Sequence, residues 1–122
     1  MTLMANMTWY EFNERKNKDV VILPVGSVEQ HGPHLPLFTD TIISEGFANL
    51  LGDKVNGIVM PSINYGYKSQ PASGGGPLFP GTIDLNGTTL INLVKDIIEE
   101  LIRDGVRKIA LVNSHFENQA FL

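Results

Sequence analysis

The chain has 122 residues, of which 43% are hydrophobic and 18% are charged, a mixture typical of one soluble globular domain. Nine Lys and Arg against thirteen Asp and Glu give a formal net charge of −4, which argues against a nucleic-acid partner because no basic surface would balance the phosphates. The lack of cysteine excludes disulfides and thiolate metal sites. Residues 1–10 do not resemble a signal peptide, and no apolar run approaches the roughly 20 residues of a membrane span, so we expect a cytoplasmic protein without a membrane partner.

The first predicted elements are a short helix and a buried strand. Thr8 and Glu11 have the spacing of a capping box, which predicts that a helix begins behind Thr8. Residues 20–23 form a short β-branched run that ends at Pro24, as is typical of a buried strand. A loop rich in Gly, Pro and His follows, from residue 26 to residue 40.

The middle of the chain contains a second helix, a second strand and a long loop. Apolar residues recur at helical spacing between Ile42 and Leu51, and Gly52 is the predicted end of that helix. Residues 57–60 are the second strand candidate, stopped by Pro61. Residues 62–87 show no clear periodicity, and a loop of this length is usually functional or disordered. Its aromatic residues favour an ordered loop.

The last part of the chain predicts the strongest helix and a third strand. Residues 88–104 carry the best helical apolar stripe of the sequence, and Gly105 is its predicted C-terminal stop. Residues 108–112 form the third buried strand. The alternation of strands and helices predicts one domain over residues 1–122, a layered α/β/α fold with a mostly parallel sheet.

Candidate ligands follow the first and third predicted strands, where binding sites of parallel sheets gather. Glu29 and His31 follow the first strand, and His115 and Glu117 follow the third. In an extended backbone, side chains two residues apart point the same way, so each pair presents one carboxylate and one imidazole to a common space. Asp40, just before the second helix, adds a third carboxylate.

The number of these side chains favours a dinuclear centre. Five oxygen and nitrogen ligands exceed the need of one tetrahedral zinc, but they suit two metals bridged by Asp40, with positions left for water and substrate. Three carboxylates against two divalent cations leave a net positive charge, which lowers the pKa of a bound water and polarises a carbonyl. The ligand types suit zinc or manganese. A lone Glu-x-His pair also occurs by chance, and His34, the nearest rival ligand, also suits an exposed loop position.

Two segments of the chain resemble the signatures of the creatininase family. Residues 23–32, followed by His34-Leu35-Pro36 and Asp40, resemble the first signature, and residues 113–118 resemble the second. Residues 65–70, 73–76 and 79–82 are similar to creatininase itself. The resemblance extends from about residue 8 to residue 122.

The resemblance implies a fold, a reaction and a set of site residues. It implies a creatininase-like fold in which Glu29, Asp40 and His115 hold one divalent ion, zinc or manganese, and His31, Asp40 and Glu117 hold the other. The two metals would supply the nucleophile and the Lewis acid that open a cyclic amide, creatinine, to give creatine, with His115 and Glu117 as catalytic residues. The implied substrate-contacting residues are Ser73, Gly74, Gly75, Gly76, Phe116 and Tyr67. A homo-oligomer, a hexamer in this family, is also implied.

Two departures from the family keep other interpretations open. Ser114 and Phe116 replace the Gly and Tyr of the second signature, and Pro33-His34-Leu35-Pro36 is closer to the wider family, whose members include deformylases and hydrolases of carbocyclic or lactone-like substrates. The chain has about half of the family's length and lacks the part that brings a general acid/base histidine and tryptophans. It is therefore predicted to be the amino-terminal half of the fold, ending after the third recognisable strand. Such a half is either a truncation or one piece of a split enzyme that a second chain completes. A non-catalytic assembly module is the alternative.

Overall fold

Four parallel strands form the centre of the computed structural model, which describes all residues from Met1 to Leu122. The strands are β1 (Thr2–Leu3), β2 (Val21–Val25), β3 (Ile58–Val59) and β4 (Ile109–Asn113), in the order β1-β3-β2-β4. β2 and β4 pair in parallel from Val21↔Ile109 to Val25↔Asn113. The parallel sheet predicted from the sequence is confirmed.

Three helices accompany the sheet, and the two long ones cover its opposite faces. They are α1 (Trp9–Arg15), α2 (Thr39–Val55) and α3 (Gly87–Arg103). Ile22 of β2 packs against Ala48 of α2, whereas its neighbour Leu23 packs against Leu90 of α3. Because side chains of a strand alternate between the faces of a sheet, this packing gives the expected α/β/α layers.

The ends of α1 and α3 follow from local sequence. The capping box of α1 is present, because the Thr8 hydroxyl accepts a hydrogen bond from the Glu11 N–H and the Glu11 carboxylate accepts one from the Thr8 N–H. After α3, Gly105 has a φ of 94°, a left-handed conformation that favours glycine and stops the helix.

The strands differ from the sequence prediction in two respects. β1 was not predicted because two residues are too few to show a periodic pattern. β4 is consequently the fourth strand of the chain, not the third. β2 continues through Pro24 and ends at Val25, although Pro24 was expected to bound it.

The boundaries of α2 also differ from the prediction. α2 begins at Thr39 and continues through Gly52 to Val55, so Asp40 lies inside its first turn rather than before it. Gly52 does not end the helix. It lets α2 approach β3 closely, since a Cβ at this position would lie 2.9 Å from a methyl carbon of Val59. Asn56, with a left-handed φ of 52°, caps the helix instead.

The long loop is ordered by isolated pairings, two with residues before the loop and one within it, as its aromatic residues suggested. Ile63 pairs with Val25, Ile83 with Val28, and Leu85 with Tyr67. These contacts hold residues 62–87 over the carboxyl end of the sheet. At the sheet edge, every residue of β4 is partly exposed, whereas β2 is buried throughout. None of the helices has the length and apolar character needed to cross a membrane.

Candidate metal centre

The candidate ligands surround a basin at the carboxyl ends of β2 and β4. The register that pairs Val25 with Asn113 places the two segments that follow these strands side by side. Gly26 allows α2 to approach, because a Cβ there would lie 2.5 Å from the Thr41 Oγ1 atom. The basin has a volume of about 360 Å³. It is lined by Glu29, Gln30, His31, Asp40, Ser73, Gly74, Gly75, Ser114, His115, Phe116 and Glu117.

His115 lies at the middle of the three carboxylates. Its Nδ1 atom is 3.0 Å from Glu29 Oε1, 3.0 Å from Asp40 Oδ2 and 3.5 Å from Glu117 Oε2. Its Nε2 atom lies 2.9 Å from the backbone carbonyl oxygen of Tyr67. Because a carbonyl only accepts, Nε2 carries a proton and Nδ1 is the nitrogen that faces the carboxylates.

His31 has the same arrangement with its two nitrogens exchanged. Its Nδ1 atom lies 3.2 Å from the Glu29 carbonyl oxygen, and its Nε2 atom lies 3.1 Å from Asp40 Oδ1. The two carboxylate oxygens of Asp40 therefore face two different histidines, His31 through Oδ1 and His115 through Oδ2. This geometry is the one that a bridging carboxylate requires.

The site strongly favours positive charge between its carboxylates. Burial alone would lower the pKa of His115, but hydrogen bonds with Asp40 and Glu29 raise it to about 10. Burial would likewise raise the pKa of Asp40, yet hydrogen bonds with His115 and Ser27 keep it below its ordinary value of 3.8. Burial would also raise the pKa of Glu117, but a hydrogen bond from Ser73, backbone hydrogen bonds and the nearby charge of His115 together keep it below its ordinary value of 4.5.

These residues fit divalent cations in donor type and orientation. In the neutral state, each imidazole directs a lone pair at carboxylate oxygens, an arrangement that is repulsive unless a proton or a metal cation lies between them. A backbone carbonyl fixes the tautomer of each ring, as is usual for metal-binding histidines. The closest groups of ligand atoms, each within 4.8 Å, are Glu29 with His31 and Asp40, and Glu29 with His115 and Glu117. The division of the five ligands between two ions remains a prediction.

Each of the three carboxylates also accepts a hydrogen bond from a serine. Ser27 donates to Asp40 Oδ2 at 2.6 Å, Ser69 donates to Glu29 Oε2, and Ser73 donates to Glu117 Oε1. The sequence interpretation missed Ser27 and Ser69. Ser69 lies 40 residues from its partner, and no local pattern indicates such a contact. Ser73 was predicted only as a substrate contact.

Asn118 is a third residue that the sequence interpretation left without a role. It is fully buried, and its Oδ1 atom accepts a hydrogen bond from the Tyr67 N–H at 2.8 Å. Its Nδ2 group donates to the Gly26 carbonyl at 3.1 Å and to Asn113 Oδ1 at 3.0 Å. Asn118 thus joins the end of β2, the end of β4 and the loop whose Tyr67 carbonyl orients His115. In the sequence, only its position within the second family signature, residues 113–118, indicated that Asn118 belongs to the site.

The residues predicted to contact substrate are only partly at the basin. Ser73, Gly74, Gly75 and Phe116 line it, and the Phe116 side chain is 72% exposed. Gly76 is buried, and its N–H is directed at the Ser69 hydroxyl.

The side chain of Tyr67 does not line the basin, contrary to the prediction. Its ring packs against the core beneath α3 and lies 4.1 Å, between centroids, from the ring of Phe121. Tyr67 contributes its backbone carbonyl to the site instead. His34, the rival ligand, is exposed and outside the basin.

The backbone that presents Glu117 is not the extended one that the prediction assumed. His115 is extended, with φ −105° and ψ 114°, but a 3₁₀ helix begins at the next residue and includes Glu117. Both side chains still reach the basin, because the helix turns the Glu117 carboxylate back toward His115.

Comparisons with known proteins agree on one family. The chain matches the family model Creatininase, described as creatinine amidohydrolase, over residues 5–122. It is 42% identical over 121 residues to the creatinine amidohydrolase of Pseudomonas putida, with 98% of this chain and 46% of that protein covered. It is 34% identical over 110 residues to the 3-dehydro-scyllo-inosose hydrolase of Thermotoga maritima, with 89% and 34% covered. A third relative, the 2-amino-5-formylamino-6-ribosylaminopyrimidin-4(3H)-one 5'-monophosphate deformylase of Methanococcus maripaludis, is 30% identical over 112 residues, with 88% and 45% covered.

Solved structures give the same result. A mutant creatininase complexed with creatine superposes with a TM-score of 0.95 at 41% identity, covering 98% of this chain and 47% of the other. A mutant creatininase of Zn-Zn type gives 0.94 at 41% identity, covering 98% and 47%. A structure described as creatininase Mn gives 0.95 at 42% identity, covering 98% and 48%. The chain thus spans about half the length of these proteins or less.

Proposed function

The chain belongs to the creatininase family, and we propose that it forms the metal-binding half of a hydrolase that opens a cyclic amide, with creatinine as substrate and creatine as product. The observation that supports this proposal most is the convergence of three carboxylates and two imidazoles around one basin. The relatives that carry the name creatinine amidohydrolase, and the similarity to a creatininase complexed with creatine, support the choice of substrate.

The five converging side chains would hold two divalent ions, zinc or manganese. Glu29, Asp40 and Glu117 supply three negative charges, so a pair of divalent cations would leave the centre with a net positive charge. Asp40 is suited to bridge the ions, because its two oxygens face different histidines. When bound, the ions would lower the pKa of water and act as Lewis acids toward the amide carbonyl. The similarity to structures described as Zn-Zn type and as creatininase Mn supports these metals.

The rim of the basin offers groups that suit a small planar amide. The peptide groups of Gly74 and Gly75 line it without side chains, so a polar molecule can approach the backbone closely. The Gln30 side chain crosses this rim and donates a hydrogen bond to the Gly74 carbonyl at 2.5 Å. The exposed Phe116 ring offers an apolar face on which a planar ring can stack. It cannot form the hydrogen bond that a tyrosine at this position would provide.

The proton for the leaving amine must come from outside this basin. Every ionisable side chain that lines it is one of the five proposed ligands. General acid catalysis contributes about 10²–10⁴-fold in rate, so the chain alone should turn over slowly. Because the chain spans about half of its relatives' length, we infer that the missing half, in the same polypeptide or in a second chain, supplies the acid.

The test of the proposed reaction is creatinine turnover by this chain alone and by the chain joined to the second half of a creatininase. We expect slow or undetectable turnover by the chain alone and creatine formation by the completed enzyme after loading with zinc or manganese. If the loaded, completed enzyme leaves creatinine intact but hydrolyses a formylamino-pyrimidine or a carbocyclic ketone, the substrate assignment is wrong. The protein would then be a deformylase or a carbocycle hydrolase of the same family.

The ligand assignment has a matched pair of variants. Glu117→Gln removes one charge from the basin, whereas Glu99→Gln removes one from the exposed surface of α3. We expect the first to lower both metal content and turnover and the second to change neither. Unchanged metal content in Glu117→Gln would remove this residue from the centre.

A non-catalytic assembly module is the alternative from another functional class. A well-folded chain with negligible bound zinc or manganese would favour it. We also propose that the completed protein is a homo-oligomer, which sedimentation of the completed enzyme would test.

A further inference from the structure

Two of the three serines that contact the carboxylates, Ser69 and Ser73, engage the carboxylate oxygen that does not face His115, and of these two only Ser69 is buried. Ser27 donates to Asp40 Oδ2, which is also the oxygen nearest His115, so it leaves both oxygens facing the centre. Ser73 is exposed, so a water molecule can replace its hydroxyl. Ser69 is 98% buried, since only 2% of its surface is accessible.

The direction of both hydrogen bonds at the Ser69 hydroxyl follows from its partners. The Gly76 N–H can only donate, so the hydroxyl accepts its hydrogen bond at 3.1 Å. An ionised carboxylate can only accept, so the hydroxyl proton points at Glu29 Oε2. The other oxygen of Glu29, Oε1, lies 3.0 Å from His115 Nδ1 and faces the basin.

The backbone at Gly75 packs directly against the contact between Ser69 and Glu29. A Cβ atom at Gly75 would lie 1.9 Å from Ser69 Oγ and 3.2 Å from Glu29 Oε2. The Ser69 N–H is itself held by Asp84 Oδ1 at 3.1 Å. This close packing leaves the Ser69 hydroxyl with little freedom to turn to another acceptor.

We propose that Ser69 is a positioning residue that engages Oε2 of Glu29 and leaves Oε1 alone to face the metal centre. The proposal rests on the proposed function, because it assumes that Glu29 is a metal ligand. Ser69 also connects this ligand to Gly76, which directly follows the rim residues Gly74 and Gly75. It touches neither substrate nor metal and acts only through Glu29.

One consequence distinguishes positioning from a general structural role. Zinc favours four ligands in a tetrahedron, whereas manganese accepts about six oxygen or nitrogen ligands. Loss of the hydroxyl frees Oε2 and lets Glu29 offer both oxygens to one ion. The variant should therefore lose more affinity for zinc than for manganese.

The experiment compares Ser69→Ala with Ser44→Ala in the same chain. Ser44 is also fully buried, but its hydroxyl donates to the Thr41 carbonyl within α2, 3.0 Å away, and not to a carboxylate. Zinc and manganese affinities are measured by competition with a chromophoric chelator, together with the thermal unfolding of the metal-free proteins. We expect Ser69→Ala to bind zinc about 10–100-fold more weakly, as is typical when a group that supports a metal ligand is lost, and manganese with a smaller loss. Ser44→Ala should change neither affinity by more than about twofold, because the Ser44 hydroxyl does not contact a carboxylate of the centre.

The outcomes separate this inference from the proposed function. A wild-type chain that binds neither metal contradicts both. Wild-type metal binding with equal affinity in Ser69→Ala contradicts only the role of Ser69, and so does an equal loss for zinc and manganese. If Ser69→Ala does not fold, Ser69→Gly replaces it, because it also removes the hydroxyl without adding a metal-binding group, and the same preferential loss of zinc affinity is expected.

Discussion

The two long helices have equal length but present opposite kinds of surface to the sheet. Both contain 17 residues. α3 buries its apolar stripe, including Leu90, Val94 and Leu101, as its periodicity predicts. α2 buries small and polar side chains, and most of its large apolar residues point outward, with Phe47 63% exposed and Leu50 61% exposed, although Leu51 packs against the sheet.

The two helices therefore have different structural roles. α3 provides the core beneath one face of the sheet. α2 approaches the ends of the strands closely through small residues, and this close approach places Asp40 between the two histidines. At about 100° per residue, Phe47 and Leu50 lie on the side of α2 that faces away from the sheet, where the rest of a larger protein could cover them.

The sharpest test of this comparison is truncation of one apolar residue in each helix. Leu90→Ala should lower the free energy of unfolding by about 2–5 kcal/mol, because Leu90 is fully buried and its removal leaves a cavity. Phe47→Ala should change it by no more than about 0.5 kcal/mol in this chain. Urea denaturation measures both values. Equal costs would mean that the outer face of α2 is already covered.

A pair of glycines tests the close approach of α2. Gly26→Ala should destabilise the chain by about 1–3 kcal/mol, since the added carbon would lie 2.6 Å from the Thr41 Cα atom and must displace α2. Gly46→Ala meets no atom within 4 Å and should stabilise the chain by roughly 0.5–1 kcal/mol through its helix propensity. The same denaturation experiment checks both. A harmless Gly26→Ala would show that the contact is not tight.

The smallest expected effect concerns α1, whose N-terminus has the only complete capping box. Hydrogen bonds from the backbone and side chain of Thr8 lower the pKa of Glu11 below its ordinary value of 4.5. A group with a lowered pKa stabilises the fold above its unfolded value and loses that contribution as the pH falls through the folded value. Glu11→Gln should therefore destabilise the chain slightly at pH 7 and match the wild type under strongly acidic conditions.

The control for this pH effect is Glu14→Gln, at an exposed position of the same helix. It should show no change in stability with pH relative to the wild type. A cost of Glu11→Gln that persists at low pH would mean that the charge of Glu11 does not support the cap.

The fold could be predicted from the sequence where local pattern and tertiary packing agree. The periodic stripe of α3 and the continuous apolar runs of β2 and β4 show in the sequence because each packs on a core. The orientation of α2 could not be predicted. Its apolar residues have helical spacing, but the face that packs on the sheet is the one whose small residues allow the close contact with Gly26. Periodicity locates a helix but does not show which face meets the sheet.

The candidate site could be predicted to the extent that sheet topology determines it. Glu29 and His115 follow neighbouring parallel strands, so their convergence follows from strand order alone. The supporting contacts of Ser69 and Asn118 could not be predicted, because they join residues from distant parts of the chain. Tyr67 shows the same limit, since its aromatic ring suggested a pocket residue and only the fold reveals that its carbonyl faces the site.

The most direct test of the dinuclear centre is the number of divalent ions bound per chain, measured by mass spectrometry after loading with zinc or manganese. The account predicts two ions in the wild type, two in Asp96→Asn on the exposed side of α3, and loss of both in Asp40→Asn, because the oxygens of Asp40 face both histidines. Two ions retained by Asp40→Asn, or none bound by the wild type, would contradict it.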